Sequence, residues 1–280
     1  MFFVLLLASI LGSCRYGLDE FLYRKDDVNH RSTVLEDVAP PFNSSLPGQL
    51  YNILLLSDLH FGKGKTNAQA KLFAYLDKLD PEELPLFCIA LGDIADTGSA
   101  SGFEEYKSLV YTLKTEYGLK EAYGIVGNHD LYNSGWPDWE KTVHPNKSFY
   151  RFSAAGFSWY FLDSGNGTLG SKQLRVFVEA LKNDQKPKFV FIHYPLYRGG
   201  IFYFSLSDPR ERALLIDSCA MYNVKAVFSG HDHYGKRFNY GSFEEIGVYS
   251  FVNNRNWTDG SWGILEVNKT NGKYVYKQYR

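Results

Sequence analysis

Five of the seven histidines in this chain sit in short blocks with carboxylates, an amide and glycines. In order, the blocks are Asp58-Leu59-His60, Gly92-Asp93, Gly127-Asn128-His129-Asp130, His193 and Gly230-His231-Asp232-His233. Neutral imidazoles and carboxylates gathered in one water-poor place are costly unless they pair or coordinate. A cluster of them therefore points to metal chemistry. Asp58, His60, Asp93, Asn128, His193, His231 and His233 offer more oxygen and nitrogen donors than one ion needs, so two ions sharing a bridge is the economical arrangement. Asp93 is the natural bridge, because a carboxylate has two oxygens to offer and an imidazole one free nitrogen. Gly92, Gly127 and Gly230 each stand directly before a donor, where a residue without a Cβ lets backbone approach closely. Any one of these pairs alone is common in proteins; the ordered series is not.

The elements that would position these blocks are legible as apolar runs of strand length. They lie at Tyr51–Leu56, Leu86–Leu91, Ala122–Val126, Trp159–Leu162, Lys188–Ile192 and Val224–Phe228, and most of the blocks follow one directly. Helical patterns fill the intervals. Leu72, Leu76 and Leu79 share one face, as do Phe103, Tyr106, Val110 and Leu113 behind a capping box of Ser101 and Glu104. A third helix follows Ser171, carrying Leu174, Phe177, Val178 and Leu181. A fourth opens at Asp208-Pro209, with proline at the first helical position. This alternation predicts a largely parallel sheet flanked by helices, with the donors at its carboxyl edge, where open α/β sheets bind ligands. After Asn239 the pattern turns hairpin-like around Gly241, Gly247, Asp259-Gly260 and Asn271-Gly272, suggesting a second, antiparallel-leaning sheet packed on the first.

Taken in order, these blocks resemble the calcineurin-like metallophosphoesterase superfamily over residues 52 to about 235. The resemblance implies an αββα sandwich of two mixed β-sheets flanked by helices, with a binuclear metal site at the carboxyl ends of the strands. It implies one ion held by Asp58, His60, Asp93 and His233, and a second by Asp93, Asn128, His193 and His231. His129 would be the catalytic histidine, with Asp130 orienting it. The Asp93 block lacks the metal-binding tyrosine of purple acid phosphatases, and Asp130 stands where phosphoprotein phosphatases have glutamate. Gly230-His231-Asp232-His233, Leu162-Asp163-Ser164 and the helix from Ser171 are closer to the cyclic-nucleotide and glycerophosphodiester phosphodiesterase branch.

The expected reaction is hydrolysis of a phosphate ester by a hydroxide bridging two cations about 3.5–4 Å apart. His129 would supply a proton to the leaving alkoxide. Imidazole-rich ligation without thiolate favours manganese, iron, zinc or cobalt, as divalent or trivalent ions, over magnesium or calcium. A phosphodiesterase is the leading reading. A phosphomonoesterase or pyrophosphatase on the same site is the alternative, and a surface-anchored binding protein with a structural metal site is the alternative from another class. Two inserts would shape the pocket for a small phosphate ester. Leu131 to Ser148 carries Tyr132, Trp136, Trp139 and His144; Leu196 to Ser207 carries Tyr197, Arg198, Phe202, Tyr203 and Phe204. Arg198 is the candidate substrate clamp, and the aromatics either stack on substrate or cover apolar surface. Asp96 and Asp232 lie close to the site without an evident role.

At the N-terminus, Phe2 to Leu11 is an apolar run broken only by Ser9 and followed by Leu11-Gly12-Ser13-Cys14. A bilayer span needs about 20 apolar residues, so the run has the length of a signal-peptide core. Residues 1–13 are expected to be the signal peptide and Cys14 a lipidation site. Residues 14–48 would be a lipid-anchored tether or packed arm, and 49–280 the metallophosphoesterase domain. The protein is thus expected outside the cytoplasm, held to a membrane through Cys14. A net charge of −1 argues against a broad nucleic-acid surface. Three cysteines do not make a disulfide scaffold, and Cys88 and Cys219 read as buried thiols. An aromatic share of 17% is the one unusual feature of the composition.

Overall fold

The computed structural model describes residues 27–41, 50–63, 67–197, 204–252 and 260–280. Signal peptide, Cys14 and Arg198 lie outside them.

Two mixed sheets face each other. The five-stranded sheet has the order β12-β11-β2-β3-β4. Its parallel centre is β2 (Leu50–Leu56), β3 (Phe87–Ala90) and β4 (Glu121–Gly124), extended antiparallel from β2 by β11 (Trp262–Asn268) and then β12 (Tyr274–Tyr279). The seven-stranded sheet has the order β1-β5-β6-β7-β8-β10-β9. It comprises β1 (Glu36–Asp37), β5 (Tyr150–Ala154), β6 (Phe157–Phe161), β7 (Lys188–Phe191), β8 (Val224–Ser229), β9 (Arg237–Asn239) and β10 (Glu244–Gly247). Here β6, β7, β8 and β10 run parallel. The αββα sandwich implied by the family resemblance is therefore present.

The single parallel sheet read from the alternation is instead divided between two layers, and the tail does not form a layer of its own. β10 joins the seven-stranded sheet beside β8, while β11 and β12 complete the five-stranded one. Strand periodicity shows which residues are buried but not which sheet receives them.

Both faces of the central strands are covered, which is why their sequences read as continuous apolar runs. In β2, Ile53 and Leu55 point between the sheets and Leu54 and Leu56 point to helices. The inter-sheet layer holds Phe87, Tyr123, Phe152, Trp159, Phe161, Phe189, Phe191 and Phe228, all buried. Rings stack within this layer: Tyr150 and Phe161 with centroids 4.4 Å apart, and Phe157 and Phe189 with centroids 4.5 Å apart. The outer face of the five-stranded sheet is covered by α2 (Ala68–Leu76), α3 (Ala100–Glu116) and α4 (Trp136–Thr142); α1 (Val28–Arg31) precedes them in the chain. The other sheet carries α5 (Ser171–Asn183) and α6 (Pro209–Met221).

The start of α3 departs from expectation. Ser99, not Ser101, is its N-cap, its Oγ accepting from Gly102 N at 3.3 Å. Asp208 caps α6 with Pro209 at the first turn, as the sequence predicts. Cys88 and Cys219 are free and buried. Within the segment read as a tether or arm, residues 27–41 pack on the domain. β1 adds to the edge of the seven-stranded sheet by pairing with β5, and Tyr123 Oη donates to Ala39 O at 3.1 Å. No helix of the described residues is long and apolar enough to cross a membrane.

Candidate metal centre

The donors converge because the carboxyl ends of β2, β3 and β4 in one sheet and β7 and β8 in the other meet at a common edge. Each strand leaves the edge through a tight turn. Asp58, His60, Asp93, His231 and His233 all adopt left-handed backbone, with φ of 50°, 47°, 49°, 65° and 62°. Such conformations cost a non-glycine residue of order 1–3 kcal/mol and persist only where the surroundings fix them. Here hydrogen bonds do so: Asp58 N donates to Gly92 O, and His60 N to Asp93 O at 2.8 Å. Gly127 shows how close the turns approach. A Cβ there would lie 2.3 Å from Asp93 Oδ1 and 2.2 Å from Asp93 N.

Among the described residues, two donor groups are built from the residues named above, and a third joins His60 to Asp96 and His129. In the first, donor atoms of Asp58, His60 and His233 lie within 4.8 Å of one another. Nε2 of His60 faces Nε2 of His233 at 3.3 Å, and Asp58 Oδ1 stands 3.5 Å from the latter. In the second, Asp93, His193 and His231 meet by the same measure. His193 Nε2 is 3.3 Å from Asp93 Oδ1 and 3.1 Å from Asn128 Oδ1, which brings the amide into this group. Asp93 lies between the groups, with Oδ1 toward His193 and Oδ2 3.9 Å from His60 Nε2. Asp93 is the residue the sequence reading names as the shared donor.

Outer partners set which atom each donor presents. His193 Nδ1 donates to Leu91 O at 2.7 Å, leaving Nε2 for the centre. His60 turns Nδ1 toward Asp96 Oδ1 at 3.1 Å. Asn128 Nδ2 donates to Tyr132 Oη at 3.0 Å, which aims Oδ1 inward. The Tyr194 ring lies against His231 with centroids 3.8 Å apart. The His193–Leu91 contact is the kind of hydrogen-bonded support that orients metal-ligating imidazoles.

Titration follows from crowding. Burial would raise Asp93, but the charges of His193, His129 and His60 hold it well below the usual carboxylate range. Burial would lower His193; Asp93 overcomes it and moves the imidazole up to about 9. The two shifts have one cause, opposite charges held close together in a buried pocket.

His129 sits beside the donors as expected, its ring 4.7 Å from that of His60 and 4.5 Å from that of Tyr132. Its support is different from the expected one. Nδ1 of His129 donates to the main-chain carbonyl of Asp96 at 2.6 Å. The Asp130 carboxylate instead accepts from Ala95 N and Gly127 N, each at 2.9 Å, and so braces the turns behind the donors. A carboxylate one position beyond a histidine in this turn faces backbone, so adjacency in sequence misled. Asp96, one of two residues that sequence reading left without a role, touches His60 and Lys63 and lends its carbonyl to His129. Its position three residues after Asp93 was the only available signal.

Of the insert residues, Tyr132 and Phe204 reach the centre, Phe204 lying 5.8 Å from His231 between ring centroids. Trp139 is fully buried in the core with Trp136 stacked on it at 5.2 Å, and His144 packs on Tyr123. The two tryptophans belong to the covering of the five-stranded sheet.

Comparison with known proteins agrees. The model of the calcineurin-like phosphoesterase family matches residues 51–235, and the chain belongs to that family of metallophosphoesterases, which are hydrolases. A protein of Fibrobacter succinogenes named as a probable cyclic nucleotide phosphodiesterase is 27% identical over 146 residues, or 51% of this chain. The match spans 55% of that relative's length. Among solved structures, a dimetal phosphatase from Danio rerio superposes with a TM-score of 0.60 at 11% identity, over 82% of this chain and 99% of its own. GAP50, described as the anchor in the inner membrane complex of Plasmodium, gives 0.59 at 14% identity, over 83% and 89%. At these identities the structures share the fold.

Proposed function

We propose that this protein hydrolyses phosphodiesters of small molecules at a pair of transition-metal ions, manganese, iron, zinc or cobalt. One observation carries the reading: Asp93 offers an oxygen to each of two donor groups, and a histidine in neither, His129, is tethered beside them. The residues fit such ions. Asp58, His60, Asp93 and His233 would hold one, and Asp93, Asn128, His193 and His231 the other; all are nitrogen or oxygen donors already turned inward. When bound, the ions supply Lewis acidity, activating water and offsetting charge on the phosphoryl oxygens.

The protein's own part in the reaction is to position and to move a proton. With Nδ1 committed to Asp96 O, Nε2 of His129 is the atom left to carry a proton to the leaving oxygen. Tyr132 flanks that imidazole and fixes the Asn128 amide at once. Arg198, in the insert after His193, is the proposed phosphate clamp. The Fibrobacter relative supports the diester preference. Export and lipid attachment at Cys14 are proposed on the apolar run Phe2–Leu11 and the Leu-Gly-Ser-Cys sequence alone; Cys14→Ala should abolish radiolabelled lipid incorporation in cells.

The test compares bis-nitrophenyl phosphate with nitrophenyl phosphate on protein reconstituted with each metal. Faster turnover of the diester supports the reading. Preference for the monoester, or for pyrophosphate, replaces it with a phosphomonoesterase or pyrophosphatase, and metal uptake without turnover of any ester replaces it with a binding protein.

A further inference from the structure

The segment before the family-defined region reaches the metal centre through a buried ion pair. Residues 27–41 precede residues 51–235, yet they enter the structure at a point that matters for His193. Arg31, at the end of α1, forks onto Asp163 just after β6, Nε to Oδ2 at 2.6 Å and Nη2 to Oδ1 at 2.9 Å. The two side chains are 2% and 0% exposed. Nη2 also reaches Asn166 Oδ1 at 2.7 Å, the same oxygen that Val28 N approaches at 3.1 Å. Ser32 adds a third donor from the arm, its Oγ 2.6 Å from Asp163 Oδ2.

Asp163 in turn organises the turn that follows it. Its Oδ1 accepts from Gly165 N at 3.1 Å, and Gln173 bonds both its N–H and its carbonyl. The residue in the middle of that turn, Ser164, presents Oγ to two backbone donors, His193 N and Tyr194 N, each at 3.0 Å. Those two residues bear the imidazole that meets Asp93 and Asn128 and the ring that lies on His231. A continuous path thus runs from the arm's guanidinium through Asp163 and Ser164 to the donor group of the second ion.

We propose that Arg31 is a positioning residue for the Asp93, Asn128, His193 and His231 ion site, so that the N-terminal arm is a working part of the metal centre. Arginine suits the task, since its planar fork fixes the orientation of a carboxylate where a lysine would supply charge alone. Without it the buried Asp163 carboxylate loses its cation, and the turn has reason to move. The inference rests on the two-ion reading of the preceding section.

The test is Mn²⁺ titration of the metal-free full chain, followed by calorimetry and by the paramagnetic resonance of unbound Mn²⁺. Wild type should take up two ions. In Arg31→Ala and in Ser164→Ala one uptake step should weaken by about 10–100-fold, the range for loss of an outer partner of a ligand. The other step should be unchanged. Arg151→Ala, which removes the exposed Arg151–Asp37 pair on the same arm, should keep both steps. If Arg31→Ala does not fold, Arg31→Lys should show the same selective loss to a smaller degree. Two uptake steps of wild-type strength in the Arg31 and Ser164 variants, or equal weakening of both steps, would overturn the proposal. Wild-type protein that takes up no Mn²⁺ would instead overturn the functional reading beneath it.

Discussion

His129 leans on the carbonyl of Asp96, not on the carboxylate of its neighbour Asp130: Nδ1 to O is 2.6 Å. A carbonyl only accepts, so the contact places a hydrogen on Nδ1 and reserves Nε2 for the reacting side. His129→Ala should therefore lower kcat by about 10²–10⁴ for a diester with an alkyl leaving group. With nitrophenolate, which departs without a proton, the loss should be much smaller. Comparing kcat for the two substrates on metal-loaded protein checks this, and equal losses would remove the acid role.

Asp130 predicts a different phenotype. Its two oxygens satisfy the buried N–H groups of Ala95 and Gly127. Asp130→Ala leaves both donors without that acceptor, at about 1–3 kcal/mol each. The expected outcome is a lower denaturation midpoint together with weakened ion binding, while the leaving-group dependence of whatever activity remains stays as in wild type.

Asp96 braces His60 and ties down Lys63, with Oδ1 3.1 Å from each nitrogen. Asp96→Ala should weaken ion binding by about 10–100-fold. Calorimetric titration with Mn²⁺ measures it, and a variant that binds as wild type would show that His60 needs no brace.

Glu245 supplies a pH test on a residue that is not a candidate metal ligand. It is buried on β10, accepting from Leu196 N at 2.6 Å and Tyr240 Oη at 3.0 Å, with Ser229 Oγ at 3.5 Å. Burial first, and the charge of Asp232 in addition, push its carboxyl up to about 7 from an ordinary 4.5. A carboxyl raised on folding binds its proton more tightly in the folded state, so its effect is absent below pH 4.5 and stability falls as pH rises toward 7. The accumulated loss is about 3 kcal/mol from a shift of this size. Glu245→Gln should flatten that part of the curve, and urea unfolding of the two proteins at pH 5 and pH 8 measures the difference. Parallel slopes would refute the assignment.

The blocks that bear the chemistry were legible because each follows an apolar strand, and strand ends are where an α/β fold collects its ligands. Asp93 stood out as the candidate bridge because a carboxylate has two oxygens to offer. What the sequence did not disclose depends on contacts between distant segments or on main-chain atoms. The Asp96 carbonyl has no letter of its own, and Arg31 reads as one more basic residue in a charged stretch until Asp163 is found against it. For Trp136 and Trp139 the sequence left open whether they stack on substrate or cover apolar surface, and α4 sets both against the core. The tail strands divide between the sheets, β10 pairing with β8 and β11 with β2, a choice of partner that strand patterning does not specify.

The left-handed turns at Asp58, His60, Asp93, His231 and His233 have a consequence for anyone wishing to build such a centre elsewhere. Copying the seven donor side chains onto another strand edge would reproduce the letters and miss the shape, because right-handed or extended backbone at those five positions would aim the groups apart. What must be transplanted is the set of turns, with the glycines and hydrogen bonds that hold them; the choice of side chains comes after.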